Sequence, residues 1–371
     1  MSINARRSIW MPGKFQKIKT IKIMKQARNI FGNGVLYEAC DLKGKVYATC
    51  AACMSVWSDF LSWANANREK MTKNINDADT IVVLCCQVTD LAVLNDLRVA
   101  KRLHEQTGKD ILMSGCLAQR FDIELPDYVK RLDVVRVLNQ PLEDKTLVHY
   151  EPPFWAKDFK EDENVTIGPD VKEGMLFRNF YPLKIGAGCS GNCKYCTIRH
   201  TRGEGYATEA SKQIEEFLKF PNVVLISDSP TVKQIKDWCE IATKYNKDIS
   251  IRNLEPQVLV ACEKEVKELS KAGLLKILHC PIQSLDKEVL EIMNRNVSAT
   301  EKAVEIMQDL RKTGTFVATN IIIDYTYNGV LYPNHDKECM DALFDYYSWN
   351  PYFDGNFDTN RAEARFEKYL S

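Results

Sequence analysis

The sequence predicts an α/β protein in two parts, a doubly wound parallel sheet followed by a partial barrel of five or six strand–helix units. Three observations carry this. Short apolar runs, as at residues 80–84, 223–226 and 316–323, alternate with longer stretches of helical periodicity, the pattern of parallel strands joined by crossover helices. An acidic stretch with Pro152-Pro153 and little periodicity, residues 151–174, divides the chain. Beyond it the units recur at regular spacing but are too few for a complete eightfold barrel, so one side is expected to stay open to a large substrate.

Composition agrees with a chain of this kind. At 371 residues it suits two domains, and its 45% hydrophobic and 27% charged content are those of a globular protein with a sizeable core. Formal net charge is zero, so whole-chain electrostatics select no partner. A basic cluster near the start, Lys14, Lys17, Lys19, Lys22, Lys25 and Arg28, suits a solvated helix face or contact with a phosphate backbone. No apolar run reaches the length of about 18 residues needed to cross a bilayer, so no membrane span is expected. The N-terminus has no continuous apolar core of a secretory signal. Thirteen cysteines without such a signal imply a reducing compartment, the cytoplasm, with some thiols serving as metal ligands.

The elements run in order along the chain. Residues 1–44 read as an N-terminal extension, with an amphipathic helix over 18–30 ended by Gly32-Asn-Gly34. A first domain spans 45–150, with strands at 46–49, 80–84 and 110–114 and a fourth candidate over 132–137. Helices are expected to about residue 70 and over 91–105, the second capped within Val88-Thr89-Asp90. After the linker, a second domain over 175–347 starts with the apolar run 181–185. Its later strands are expected at 223–226, 249–252, 276–279 and 316–323. Its helices are expected near 209–219, 231–245, 263–272, 286–293, 300–312 and 335–347, and residues 348–371 read as a C-terminal tail.

Cysteine placement is the most specific signal. Cys189, Cys193 and Cys196 fall within eight residues after Gly186 and Gly188, close enough to converge on one centre at low entropic cost. With His200 they match a Cys3His zinc site. Alternatively, three thiolates on a 4Fe–4S cluster leave one iron without a protein ligand, able to bind a small molecule. In the first domain Cys53, Cys86 and Cys116 each come shortly after a strand, where the loops of such a sheet form its ligand crevice, and suggest a second metal site. Cys50 and Cys85 read as small buried hydrophobes.

The Cys-x3-Cys-x2-Cys spacing, with Tyr195 before the last cysteine, resembles the radical S-adenosylmethionine (SAM) superfamily. Taken in order, further anchors over about residues 45–330 resemble the radical SAM methylthiotransferases, which act on tRNA adenosines or on a ribosomal-protein aspartate. The anchors are Lys45-Val-Tyr-Ala-Thr with Ala52-Cys53, Asp77-Ala-Asp79 with Cys86-Gln-Val-Thr-Asp90, and Ser114-Gly-Cys116-Leu-Ala-Gln-Arg120. They continue with Arg202-Gly203, Ile251-Arg252-Asn-Leu-Glu-Pro256, Pro281-Ile-Gln283-Ser284 and Met293-Asn-Arg295. The resemblance implies a (β/α)6 radical SAM barrel, SAM and two 4Fe–4S clusters. The SAM-binding cluster would sit on Cys189, Cys193 and Cys196, the auxiliary one on Cys53, Cys86 and Cys116. It also implies Gln283, Arg295 and Arg202 as SAM contacts, and a flavodoxin- or ferredoxin-type electron donor. Asp228 is a candidate for substrate, auxiliary-cluster or helix-cap contact, and Trp57, Tyr195 and Tyr206 for stacking on a base.

Several positions depart from that family. Ala52-Cys53 is followed by Ser55-Val56, and Leu84-Cys85 precedes the second auxiliary cysteine. The glycine-rich turn after the last expected strand is replaced by Asp324-Tyr-Thr-Tyr-Asn-Gly329, and the C-terminal TRAM domain has no counterpart up to Ser371. By the family's chemistry, one electron cleaves SAM to a 5′-deoxyadenosyl radical that abstracts hydrogen from an unactivated carbon. A methylthio group from the auxiliary cluster is then added there. The expected substrate is a tRNA adenosine near the anticodon, with a protein or peptide side chain as the alternative. A non-enzymatic iron–sulfur or zinc nucleic-acid-binding module is the third reading. The enzymatic readings require the two thiolate sets to face each other across one cavity.

Overall fold

Strand polarity and register bring the cysteine loops of the first half to one edge. In the computed structural model, which describes residues 24–50, 52–133, 140–151, 177, 180–333 and 337–370, strands β1 (Met24–Asn29), β2 (Gly32–Glu38), β3 (Val46–Cys50), β4 (Thr80–Cys85), β5 (Ile111–Gly115), β6 (Val129–Asp133) and β7 (His149–Tyr150) form one sheet. Its order is β1-β2-β6-β5-β4-β3-β7, parallel throughout except for the β1–β2 hairpin. Cys50 pairs with Leu84 and Leu84 with Ser114, so β3, β4 and β5 end level.

Helices α1 (Met54–Ala66) and α2 (Asp90–Thr107) complete this half. Phe60, Leu61 and Trp63 of α1 pack with Val82 and Leu84, whereas Val93, Val99 and Leu103 of α2 pack with Ile81 and Val83. Alternate residues of one strand therefore serve opposite faces, as the period of two requires for a sheet buried on both sides. Thr89 caps α2 by accepting the Ala92 N–H at 3.1 Å, and Gly108, at φ +67°, ends it.

The second sheet runs β17-β14-β13-β12-β11-β8, all parallel and in chain order. Its strands are β8 (Tyr181–Lys184), β11 (Val223–Ile226), β12 (Ile249–Arg252), β13 (Leu275–His279), β14 (Phe316–Ile323) and β17 (Tyr346–Pro351). Small antiparallel pairs lie beside it: β9 (Gly186–Ala187) with β10 (Tyr206–Ala207), and β15 (Tyr325–Tyr327) with β16 (Val330–Tyr332). The helices of this half are α3 (Ile198–Arg202), α4 (Ile214–Lys219), α5 (Val232–Lys244), α6 (Pro256–Ala261), α7 (Glu263–Lys271), α8 (Lys287–Ile292), α9 (Val297–Lys312), α10 (Lys337–Leu343) and α11 (Thr359–Leu370).

Among the described residues, six strands whose outer edges pair with no further strand make an open partial barrel. Val224, Ile226, Ile277 and Ala318 form its inner cluster with Phe177 and Phe180, a cluster without residues from the barrel helices. Met54, at the start of α1, packs against that cluster, so the first half sits over the barrel's mouth.

Three expectations are corrected. Residues 24–29, expected within a helix over 18–30, are the first strand of a hairpin; residues 18–23 lie outside the described part. Pairing of Tyr37 and Glu38 with Leu132 and Asp133 draws this segment into the sheet, and tertiary pairing outweighs local periodicity. Gly34 permits the approach, since a Cβ there would lie 2.0 Å from the Phe121 ring. The sheet thus begins before residue 45, at the end of the expected extension. The helix expected over 335–347 ends at Leu343, and Tyr346–Pro351 is a sixth barrel strand running past residue 347. The last element is α11, tied to α2 by Arg98–Glu363 at 2.9 Å and by Arg365 to the buried Asp90 at 2.7 Å. The basic positions Lys14, Lys17, Lys19 and Lys22 and most of the expected linker lie outside the described residues.

Candidate metal centre

Both sets of three cysteines lie where the two halves meet. Cys53 occupies the N-cap position of α1, Cys86 directly follows β4, and Cys116 directly follows β5. The Cys86 thiol donates to Cys53, whose pKa is lowered by that bond and by nearby Arg252 and Arg202, while the pKa of Cys86 is raised. Cys116 stands in electrostatic reach of both, its thiol pushed up to about 11 by burial. Two neighbouring thiols beside a third are a donor set that a cationic metal body would deprotonate. Cys50 and Cys85 are buried nearby, donating to the Ala52 and Ser114 carbonyls.

Gly115 makes the third loop possible. Its φ is +126°, and a Cβ there would fall 2.3 Å from the Cys85 carbonyl oxygen and 2.8 Å from Val56. Gly115→Ala is therefore expected to destabilise the protein by about 1–3 kcal/mol. The variant should also lower the iron bound per chain, which denaturant melts and iron analysis check.

In the second half, Cys189, Cys193 and Cys196 are mutually within electrostatic reach. Burial pushes the Cys196 thiol up to about 12, and Cys116 of the other set contributes to that shift. Cys116 of the first half and Cys196 of the second thus lie within electrostatic reach of each other. Cys189 Sγ accepts the Gly191 N–H at 3.1 Å. Cys193 Sγ accepts from Arg295 Nη1 at 3.7 Å, while Arg295 Nη2 donates to the Pro281 carbonyl at 2.7 Å. His200 is exposed and meets Phe31 edge-on. Among the described residues no three His, Cys, Asp or Glu side chains are gathered tightly enough for a single metal ion. Thiolate-only donors in threes fit iron–sulfur clusters with an open iron.

A charged cluster joins the halves beside the thiols. Arg202 Nη2 donates to Asp59 of α1 at 2.7 Å, and its Nε donates to Asp228 at 2.6 Å. Lys184 reaches Asp59 at 3.3 Å, and Asp228 Oδ2 also accepts the Gly188 N–H at 2.8 Å. Arg202, expected as a SAM contact, is thus held between two carboxylates near Cys116 and Cys53. Asp228 fixes this cluster, and the following helix is capped by Thr231 instead, in a capping box with Gln234. A second tie runs from Arg120, buried and stacked on Phe31, to Gln87 at 2.6 Å and through Gln87 to Thr197.

Gln283 lies between β13 and β14 with φ +74°, its N–H donating to Asn320 O at 2.8 Å and its carbonyl accepting from Ile322. Close by, the buried His279 accepts the Asn253 N–H at Nδ1 (3.3 Å), which leaves its proton on Nε2 for Asn320 Oδ1 at 2.9 Å. Ser348 Oγ donates to the same oxygen at 2.8 Å. This neutral polar layer continues the inward face of Ile277 and Ala318. Tyr195 packs with Met293 near Cys193, Trp57 packs on the main core, and Tyr206, 42% exposed, lines a cavity of about 400 Å³ between the halves with Asp59, Arg202 and Gly115.

Sequence reasoning did not single out Asp59 or Asp96. Asp96 is fully buried, accepts the Cys86 N–H at 2.6 Å, and is pushed well above the usual carboxylate range by burial. No local motif marks it, because its role depends on how α2 docks beneath the β4 loop.

An open parallel barrel with a three-thiolate loop beyond its first strand defines a radical SAM domain, and the sequence profile of the radical SAM superfamily matches residues 183–346. Residues 183–346 are thus similar to the radical SAM superfamily, a class whose cofactors are SAM and 4Fe–4S clusters. Curated relatives of the chain include ribosomal protein methylthiotransferases. One, the ribosomal protein uS12 methylthiotransferase RimO of Caldicellulosiruptor saccharolyticus, is 26% identical over 304 residues, 76% of this chain and 67% of that protein. The RimO of Carboxydothermus hydrogenoformans is 25% identical, over 74% of this chain and 64% of that protein. The chain thus spans about two thirds of the length of these relatives. Among solved structures, the radical SAM methyltransferase TsrM from Kitasatospora setae with cobalamin and a 4Fe–4S cluster bound gives a TM-score of 0.43. Its identity is 11%, over 80% of this chain and 66% of that one. Among the described residues no helix is long and apolar enough to cross a membrane.

Proposed function

We propose that this chain is a methylthiotransferase that places a methylthio group on an unactivated carbon of a protein side chain. The observation that supports the reading is the approach of Cys116, which lies beside Cys53 and Cys86, to Cys196, which lies beside Cys189 and Cys193. When bound, the cluster at Cys189, Cys193 and Cys196 supplies the electron that cleaves SAM, and the auxiliary cluster supplies the sulfur. The chain's own residues set the geometry. Arg202, Asp59, Lys184 and Asp228 hold the halves in register, and Met54 excludes water from the barrel's inner cluster. Gln283, on its left-handed backbone, presents a side chain at the carboxyl ends of the strands, where SAM would lie.

A protein substrate is favoured because the relatives are named for a ribosomal protein. The tRNA adenosine expected from the sequence has no such support. An external one-electron donor of flavodoxin or ferredoxin type supplies turnover, and thirteen free thiols suit a cytoplasmic setting. Mass spectrometry of ribosomal proteins and of tRNA nucleosides, from cells with and without the gene, tests the reading. A methylthiolated protein residue lost with the gene is expected. A methylthioadenosine lost instead would overturn the protein assignment.

A further inference from the structure

The loop carrying Cys193 is gripped by a distant segment. Helix α8 ends at Ile292, and Asn294, at φ +59°, reverses the chain so that Arg295 N–H returns to the Leu290 carbonyl at 2.8 Å. From this reversal three bonds reach three consecutive residues of the cysteine loop. Asn294 Nδ2 donates to Asn192 O at 2.9 Å, Lys194 N–H donates to Met293 O at 3.1 Å, and Arg295 Nη1 donates to Cys193 Sγ at 3.7 Å. The second arm of the Arg295 fork is anchored on Pro281 O at 2.7 Å, which fixes the guanidinium against the sulfur. The guanidinium keeps its charge there, as arginine does throughout proteins.

We propose that Arg295 is a positioning residue that raises the reduction potential of the cluster held by Cys189, Cys193 and Cys196, through its hydrogen bond to the Cys193 sulfur. The inference rests on the reading that these thiolates bind a 4Fe–4S cluster. Reduction adds one electron, taken from the external donor, to a centre that already carries three thiolate charges. A fixed cation at one sulfur stabilises the reduced form more than the oxidised form, and hydrogen bonds to cluster sulfurs act in the same direction. The fork thus serves the cluster rather than the SAM contact expected from the sequence.

The test is a redox titration, followed by electron paramagnetic resonance, of the full chain reconstituted anaerobically with iron and sulfide. The cluster in question is the one whose signal changes on adding SAM. Arg295→Gln is expected to lower its potential, so that the reduced-to-oxidised ratio at a fixed potential falls at least about tenfold, 59 mV for a one-electron couple. Arg295→Lys keeps the charge without the fork and is expected to fall between variant and parent. An unchanged potential in Arg295→Gln overturns the proposal. If that variant does not load iron, Arg295→Lys decides, a potential equal to the parent's overturning it. A parent chain that takes up no reducible 4Fe–4S cluster overturns the cluster reading as well, and iron analysis tells that failure from the first.

Discussion

Replacing Cys193 by alanine is expected to reduce reductive SAM cleavage to background while the chain stays folded. Cys193 is half-buried in a loop, not in the core, so its loss removes few packing contacts. A cluster left with two thiolates at one end loses the ligand that, with Cys189 and Cys196, completes the set beside the barrel mouth. The auxiliary thiols Cys53, Cys86 and Cys116 belong to the other half and should still load, so bound iron should fall by about half. Chromatographic assay of 5′-deoxyadenosine after dithionite addition, with iron analysis of the same sample, measures both. Undiminished SAM cleavage in this variant would remove Cys193 from the site.

The second large effect is expected at Arg202. Its side chain is 9% exposed and lies between Asp228, 6% exposed, and Asp59, 17% exposed. Arg202→Met leaves both carboxylates without their main cation, and breaking a buried pair in this way costs about 3–5 kcal/mol. Denaturant melts of the variant should show that loss. Adding Asp228→Asn should recover part of it, because one uncompensated charge is removed as well.

The same cluster predicts a pH dependence. Burial works against ionisation of Asp228, but Arg202 and Lys184 outweigh it and hold the carboxyl below the usual range. A carboxyl depressed in the folded state contributes stability that is fully present above its unfolded pKa of about 3.9. That contribution is lost as pH falls from there through the folded value. Asp228→Asn should flatten this acid limb.

Much of the fold was legible because its signals are local. The run at Val223–Ile226 is apolar on both faces, as a buried parallel strand can be, and its bounds matched, as did those of Ile249–Arg252 and Phe316–Ile323. The hairpin over residues 24–38 was not legible, since nothing within the segment records the free edge of β6 that it pairs with. Strand Tyr346–Pro351 was missed for a related reason: its mix of tyrosine, serine and asparagine becomes a strand by pairing along six residues of β14. In place of a glycine-rich turn, residues 324–329 lead into a short hairpin turning at Asn328 and Gly329, both with positive φ.

The candidate site divides along the same line. Cys189, Cys193 and Cys196 are close in sequence, so their convergence needs no knowledge of the fold. Cys53, Cys86 and Cys116 are separated by whole strand–helix units, and only the rule that loops beyond strand ends gather at one edge connects them. The partners of Arg202 and Arg295 were not legible. Asp59 and Cys193 reach them only after the halves dock and after Asn294 turns the chain back.

The account stands on two separate thiolate cages in one chain. Iron and acid-labile sulfide analysis of the anaerobically reconstituted full chain tests this most directly, with about eight irons per chain expected for two four-iron clusters. About four irons, or stoichiometric zinc in place of iron, would contradict it.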